Sequence, residues 1–297
     1  MNVPADYPER PVAVIGAGER GRAIAMMFAT HGGLVRIHDI DAHHGAEAVE
    51  FATAHPESPR GRVEFTAELT EATDGAWLVV ESIPERLERK QALFARLESV
   101  SAPDTILATD SAYASRAIVA GLSSTGRMLN IHFTAPAHSA TVEVMSCGDT
   151  SQRVLDFLMA ALPAYGLHPF LVRRESMGFV VDRIWAAITR EALDIVAEGI
   201  ATPADIDDLL RHNLAATVAP FRAMDTAGLD TVYDTEAHYA AGNPNLSSAP
   251  RQLLRRYIDS GKLGEKSGAG FYSDYPRPEA AEATGAELPV DGGASQP

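Results

Sequence analysis

Gly16, Gly18 and Gly21 stand in the spacing G-x-G-x-x-G, directly after the apolar run VAVI and directly before an Ala/Ile/Met-rich stretch of helical character. Three glycines so spaced meet three needs. The first permits a tight turn, the second lets backbone approach a pyrophosphate, and the third lets a helix pack closely on a strand. Unpaired amides at the helix start then face the phosphates. A second apolar run, LVRIHD, leads to Asp39, at about the 20-residue distance from the turn where a carboxylate accepts hydrogen bonds from an adenosine ribose. An acid there repels a 2'-phosphate, no arginine follows it immediately, and Arg36 lies within the strand, so NAD is expected rather than NADP.

A chain that presents such a turn needs strands to aim it and helices to cover the strands. VAVI, LVRIHD, WLVVES, TILATD, MLNIHF, TVEVM and HPFLVR read as strands, with helical patterns between several of them. This alternation predicts a doubly wound, Rossmann-type α/β sheet, mostly parallel, over residues 1–176. The segment AHHGAEAVEFATAHPESPRGRVEF reads as one short helix and a Pro/Gly/Arg loop. From Gly178 the pattern turns helical: FVVDRIWAAITREALDIVAEG has apolar residues at helical spacing and stops at Gly199. Thr202, Pro203 and Asp205 then give a capping residue, a proline at the first helical position and an early acid. A second, all-α domain is expected over residues 177–276, and the Pro/Ala/Gly/Glu-rich residues 277–297 read as a disordered tail.

With 297 residues, 46% hydrophobic and 22% charged, the chain can bury the cores of two ordinary domains. A formal net charge of -15 argues against nucleic acid or an anionic membrane as partner. Cys147, the single cysteine, cannot form an internal disulfide and reads as a small buried apolar residue. The N-terminal stretch lacks an apolar signal core, and no apolar run approaches the roughly 20 residues that cross a bilayer, so the expected compartment is the cytoplasm. No metal is expected.

Over residues 11–275 the chain resembles the 3-hydroxyacyl-CoA dehydrogenase family of fatty acid metabolism. The resemblance lies in VIGAGERG, VVESIPERLERKQALFARLE, ILATDS, NIHF, VEVM, GFVVDR, AEGIATPADID, APFRAMDTAGLDT and KLGEKSGAGFY, in matching order and approximate spacing. It implies a Rossmann domain followed by a helical domain that mediates homodimerisation. It also implies that His132, in the H-F motif, is the general base, a role suited to a side chain whose pKa lies near operating pH. Glu143, in VEVM, would orient that histidine and stabilise its imidazolium. On residue types alone, Glu85 and Lys90 in PERLERK read as a solvated helix face; the resemblance places them near the nicotinamide ribose.

The substrate side departs from the family pattern. The serine motif, usually S-N-T-S-S, here reads Thr109-Asp110-Ser111-Ala112-Tyr113, so the functional serine falls on Ala112, or on Ser111 after a slide of one position. The asparagine after the H-F pair is Ala135, and that of P-G-F-x-x-N-R is Asp182, preceded by Met177 in place of proline. An ionised acid accepts hydrogen bonds but cannot donate one to a thioester carbonyl. The span from Asp39 to Glu81, which in the family helps hold CoA, is shorter and poor in lysine. The expected activity is hydride transfer between NAD and the C3 hydroxyl or oxo group of an acyl thioester, bound to CoA or to a carrier protein. The alternatives are a dehydrogenase of a free hydroxy acid or imine in biosynthesis, or an NAD-binding protein of weak turnover.

Overall fold

The computed structural model describes residues 3–54, 60–111, 113–134, 140–176 and 178–276. The expected tail therefore lies outside the described residues, as do Ala112, Ala135, Met177, His55 and His138. The chain divides into two compact units, Met1–Arg183 and Ile184–Pro297.

In the first unit, β1 (Val12–Ile15), α1 (Glu19–Thr30), β2 (Leu34–His38), α2 (Ala42–Ala54), β3 (Arg62–Thr66), α3 (Leu69–Thr73) and β4 (Leu78–Glu81) form the first half of the sheet. α4 (Leu87–Val100), β5 (Ile106–Thr109), α5 (Ser115–Ile118), β6 (Met128–Phe133), β7 (Thr141–Ser146), α6 (Gln152–Ala161) and β8 (His168–Val172) complete it. The strand order is β3-β2-β1-β4-β5-β6-β7-β8. Every neighbouring pair is parallel except β6 and β7. β1 and β4 bury all their side chains, and the period of two divides them between two cores. Val12, Val14, Leu78 and Val80 pack with Phe28, Trp77 and Leu158, while Ala13, Ile15 and Val79 pack with Phe94, Leu97 and Leu107. From β1 the chain turns one way to β2, while β4 pairs on the other side, which opens a crevice at the carboxyl ends of β1 and β4.

Two features differ from the sequence expectation. α2 runs for 13 residues. The residues read as a Pro/Gly/Arg loop include β3, a half-buried edge strand of five residues that pairs with β2. Gly61 sits at its start, where a Cβ would collide with Gly33. Cys147 is free and buried, as expected.

The second unit is all-helical. α7 (Val180–Ala197) begins four residues before it, and α8 (Pro203–Leu214), α9 (Pro220–Ala227), α10 (Leu229–Gly242) and α11 (Ala249–Asp259) follow. Leu193, Phe221, Met224, Leu229, Leu253 and Leu254 form its core. The expected start of α8 is a full capping box, in which Thr202 and Asp205 satisfy each other's backbone amides. Two buried acids hold the rest. Asp207 accepts from the amides of Phe221 and Arg222 at the start of α9, and Asp225 accepts from those of Phe271 and Tyr272. Gly264 and Gly270 let the closing turn press against Asp225, where a Cβ would collide. Among the described residues no helix is long and apolar enough to cross a membrane, and no cluster of His, Cys, Asp and Glu could hold a metal ion.

Candidate active site

β1 feeds the glycine turn. Gly16 has φ of +108°, and a Cβ there would lie 2.6 Å from the Ser82 carbonyl oxygen, so only glycine fits. A Cβ on Gly21 would collide with the Gly16 carbonyl, which lets α1 close on β1. Gly18, the N-cap of α1, differs, since a Cβ there meets nothing within 4 Å. At the end of β2, Asp39 is pinned to the turn. Its Oδ2 accepts from the Ala17 amide at 2.7 Å and its Oδ1 from the Asp41 amide at 2.9 Å. An open glycine at a helix start and a carboxylate fixed on the neighbouring strand fit a dinucleotide.

A buried network closes the end of β4. Glu81 Oε1 accepts from Lys90 Nζ at 2.5 Å and from the Ile83 amide at 2.8 Å, while its Oε2 accepts from Thr109 Oγ1 at 2.6 Å. Lys90 also donates to the Ile83 carbonyl at 3.0 Å and lies 3.8 Å from Glu85. Lys90 is thus wholly buried on α4, not on a solvated helix face as its residue type suggested. The Ser111 hydroxyl donates to Glu85 Oε2 at 2.8 Å and accepts from the Tyr113 amide at 3.0 Å. Glu85, Lys90 and Ser111 therefore belong to one assembly. Of these, Ser111 and Lys90 are buried and Glu85 is about half exposed.

His132 and Glu143 face each other directly across the antiparallel β6–β7 pair. Nδ1 lies 3.4 Å from Glu143 Oε2. An ionised carboxylate only accepts, so a hydrogen bond between this pair needs the proton on Nδ1. Glu143 is held in turn by the first turn of α7. The Val180 amide donates to Oε1 at 2.9 Å and the Val181 amide to Oε2 at 3.4 Å, and the positive end of the helix favours the negative charge. Phe179 stacks on the imidazole with centroids 4.4 Å apart and planes inclined by 13°. Asp182 Oδ2 stands 3.5 Å from Nε2, so the nitrogen that would take a substrate proton already faces a carboxylate.

Three residues here escaped the sequence reading. Phe179 is one of them. Arg20, from the glycine turn, reaches across to pair with Asp110, and its Nη2 donates to the Phe133 carbonyl at 3.0 Å. Asp110 Oδ1 also accepts from the Phe133 amide at 3.1 Å, so the pair clamps the residue after His132. The available signal was a charged residue inside a glycine turn and an acid at a strand end. His43 and His44 are exposed.

A dinucleotide turn at a sheet switch point, with a carboxylate-held histidine on a later strand of the same sheet, defines a dinucleotide-dependent dehydrogenase. Residues 11–176 match the NAD binding domain of 3-hydroxyacyl-CoA dehydrogenase, and residues 178–274 match the C-terminal domain of the same enzyme. The chain belongs to the 3-hydroxyacyl-CoA dehydrogenase family, whose members are NAD-dependent oxidoreductases.

The chain is 40% identical over 159 residues to the 3-hydroxyacyl-CoA dehydrogenase-like protein LAM1 of Cochliobolus heterostrophus, covering 53% of this chain and 33% of that one. It is 29% identical over 287 residues to the 5-formyl-3-hydroxy-2-methylpyridine 4-carboxylate 5-dehydrogenase of Mesorhizobium japonicum, covering 90% and 91%. Among solved structures it resembles 3-hydroxybutyryl-CoA dehydrogenase from Escherichia coli K12, with a TM-score of 0.81 and 28% identity over 94% of this chain and 61% of that one. It thus spans a third of the first relative and less than two thirds of the solved structure, but nine tenths of the Mesorhizobium enzyme.

Proposed function

We propose that the chain transfers hydride between NAD and the C3 hydroxyl or oxo group of an acyl thioester, carried by CoA or by a carrier protein. The observation that carries this reading is the cross-strand pairing of His132 Nδ1 with Glu143, which fixes the ring and leaves Nε2 as the nitrogen turned away from Glu143. Gly16, Gly18, Gly21 and Asp39 bind the cofactor, and Glu85 reaches the nicotinamide ribose with Lys90 positioning it through the Glu81 network. NAD, when bound, supplies the hydride acceptor. His132 takes the hydroxyl proton at Nε2 in oxidation and returns it in reduction. Glu143 orients the ring and balances the imidazolium charge, while Ser111 keeps Glu85 in place.

A second reading, a dehydrogenase of a free hydroxy acid or heteroaromatic alcohol, is favoured by the similarity to the pyridine carboxylate enzyme. The chain would act in the cytoplasm as a homodimer. The test offers NADH with acetoacetyl-CoA, acetoacetyl carrier protein and free oxo acids, and follows NADH oxidation. Turnover of a thioester, reduced about 10²–10⁴-fold by His132→Ala, supports the reading. Turnover of free acids alone, or a His132→Ala variant as fast as wild type, sinks it.

A further inference from the structure

At three positions the substrate side departs from the side-chain donors of the family pattern. The family's serine and two asparagines correspond here to Ala112 (or Ser111 after a one-position slide), Ala135 and Asp182. Ser111 is buried and donates to Glu85. Asp182 can only accept when ionised. A substrate acyl group presents an acceptor at C1, a thioester carbonyl or a carboxylate, one carbon removed from the reacting C3.

Arg20 is the candidate. It stands in the first turn of α1, yet its guanidinium reaches Asp110 and the Phe133 carbonyl, beside His132 on β6. Nε and Nη2 are committed to those partners, whereas Nη1, with two N–H groups, has no hydrogen-bond partner among the described residues. The arrangement is rigid on one side and open on the other, because the Asp110 side chain is 1% exposed and that of Arg20 is 44% exposed. Burial pulls the Arg20 guanidinium down, but pairing with Asp110 outweighs it, and the charges of Asp182 and Glu85 add to the rise. Those two carboxylates mark where the cation stands: Asp182 is at His132 Nε2, and Glu85 is tied to Ser111.

We propose that Arg20 is a specificity-determining residue whose Nη1 donates to the C1 oxygen of the substrate acyl group, in place of the donors missing at those three positions. The shared chemistry is an oxygen acceptor at C1, and two sources fit, a thioester carbonyl or a free carboxylate. The planar guanidinium suits this task better than an ammonium, because one edge stays bidentate on Asp110 while the other faces the ligand. The inference rests on the C3 reading above for its acyl substrate, and the arms of the test separate the two sources of the C1 oxygen.

The test measures Kd for NADH by fluorescence. In the presence of NADH it then measures Kd and kcat/KM for acetoacetyl-CoA, for acetoacetate, and for the thioether analogue of acetoacetyl-CoA that lacks the C1 oxygen (Kd only). Wild type, Arg20→Gln and Arg20→Lys are compared, the lysine variant keeping a cation opposite buried Asp110 so that loss of fold is not the readout. Wild type should bind the C1-oxygen ligand about 10- to 100-fold more tightly than the ligand without it, as a charge-assisted hydrogen bond provides. Arg20→Gln should erase that preference and Arg20→Lys should reduce it by at least about tenfold, with NADH affinity changed less than about threefold. A preference that persists in both variants overturns the proposal. So does an equal loss of NADH affinity, which would make Arg20 a ligand of the cofactor phosphates. If acetoacetate shows the arginine-dependent preference and the thioester does not bind, the thioester reading falls and Arg20 keeps its role. If wild type binds neither ligand, both fall.

Discussion

Gly18 and Gly21 belong to one motif but face different surroundings, and that difference is measurable. A Cβ on Gly21 runs into the Gly16 carbonyl, whereas one on Gly18 meets no protein atom within 4 Å. Gly21→Ala should therefore lower Tm through backbone displacement. Gly18→Ala should leave Tm within a few degrees, as an N-cap change of at most about 1 kcal/mol allows, yet weaken NADH binding at least tenfold. Equal effects of both variants on Tm, with NADH affinity intact, would contradict a phosphate at Gly18. Glu143→Gln should lower kcat by about 10²-fold with little change in KM, because the neutral amide removes the charge that faces Nδ1 and orients the ring. Steady-state kinetics with whichever oxo substrate turns over would check it. At this scale the glycines and Asp39 were legible from spacing alone, since a phosphate site imposes local backbone requirements. His132 and Glu143 needed the family resemblance, because cross-strand pairing joins residues that nothing local connects. Arg20 and Asp110 are 90 residues apart, and neither signals the other.

Elements were read best where their ends carry chemistry. Thr202 and Asp205 cap α8 as their types and spacing required. Thr202→Ala should cost about 1 kcal/mol, seen as a lower denaturation midpoint with unchanged m-value. β3 was missed because RVEFT is a short, half-buried edge strand whose only strand partner is β2, so it lacks the continuous apolar run of β1 or β4. Lys90 misled for the opposite reason. Its type says surface, while Glu81 and the Ile83 carbonyl give its ammonium a buried seat. An ion pair outside the site gives a pH test. Arg10 donates to Asp104 at 2.7 Å and holds that carboxyl below its usual range. A depressed carboxyl contributes stability above its unfolded value of about 3.9, and that contribution is lost as pH falls through the lower folded value. Asp104 is a third exposed, so solvent screening limits the effect. Asp104→Asn should be less stable than wild type by at most about 1 kcal/mol at pH 7, and the gap should narrow in urea titrations as pH is lowered below about 3.9. A gap of unchanged size would mean that the pair's charge contributes nothing.

At the scale of the molecule, a strongly acidic chain still leaves large apolar side chains in contact with solvent. Ile184 and Ile188 of α7 are 57% and 40% exposed, and Leu209 and Leu214 of α8 are 57% and 70% exposed. Isolated exposed leucines are ordinary, but several on consecutive helices of one small unit are costly to hydrate and favour association. A standard interface buries about 800 Å² per partner, within reach of two such helices. The proposed homodimer therefore has a defined test in static light scattering. At micromolar concentration the wild type should show twice the 31.7 kDa of one chain. Leu209→Lys combined with Leu214→Lys should shift it toward the single-chain mass, because burying two ammonium groups in an apolar contact costs several kcal/mol. NADH affinity should remain unchanged, since Gly18 and Asp39 belong to the other unit. A monomeric wild type at tens of micromolar would remove the dimer, and a double variant that stays dimeric would place the contact elsewhere.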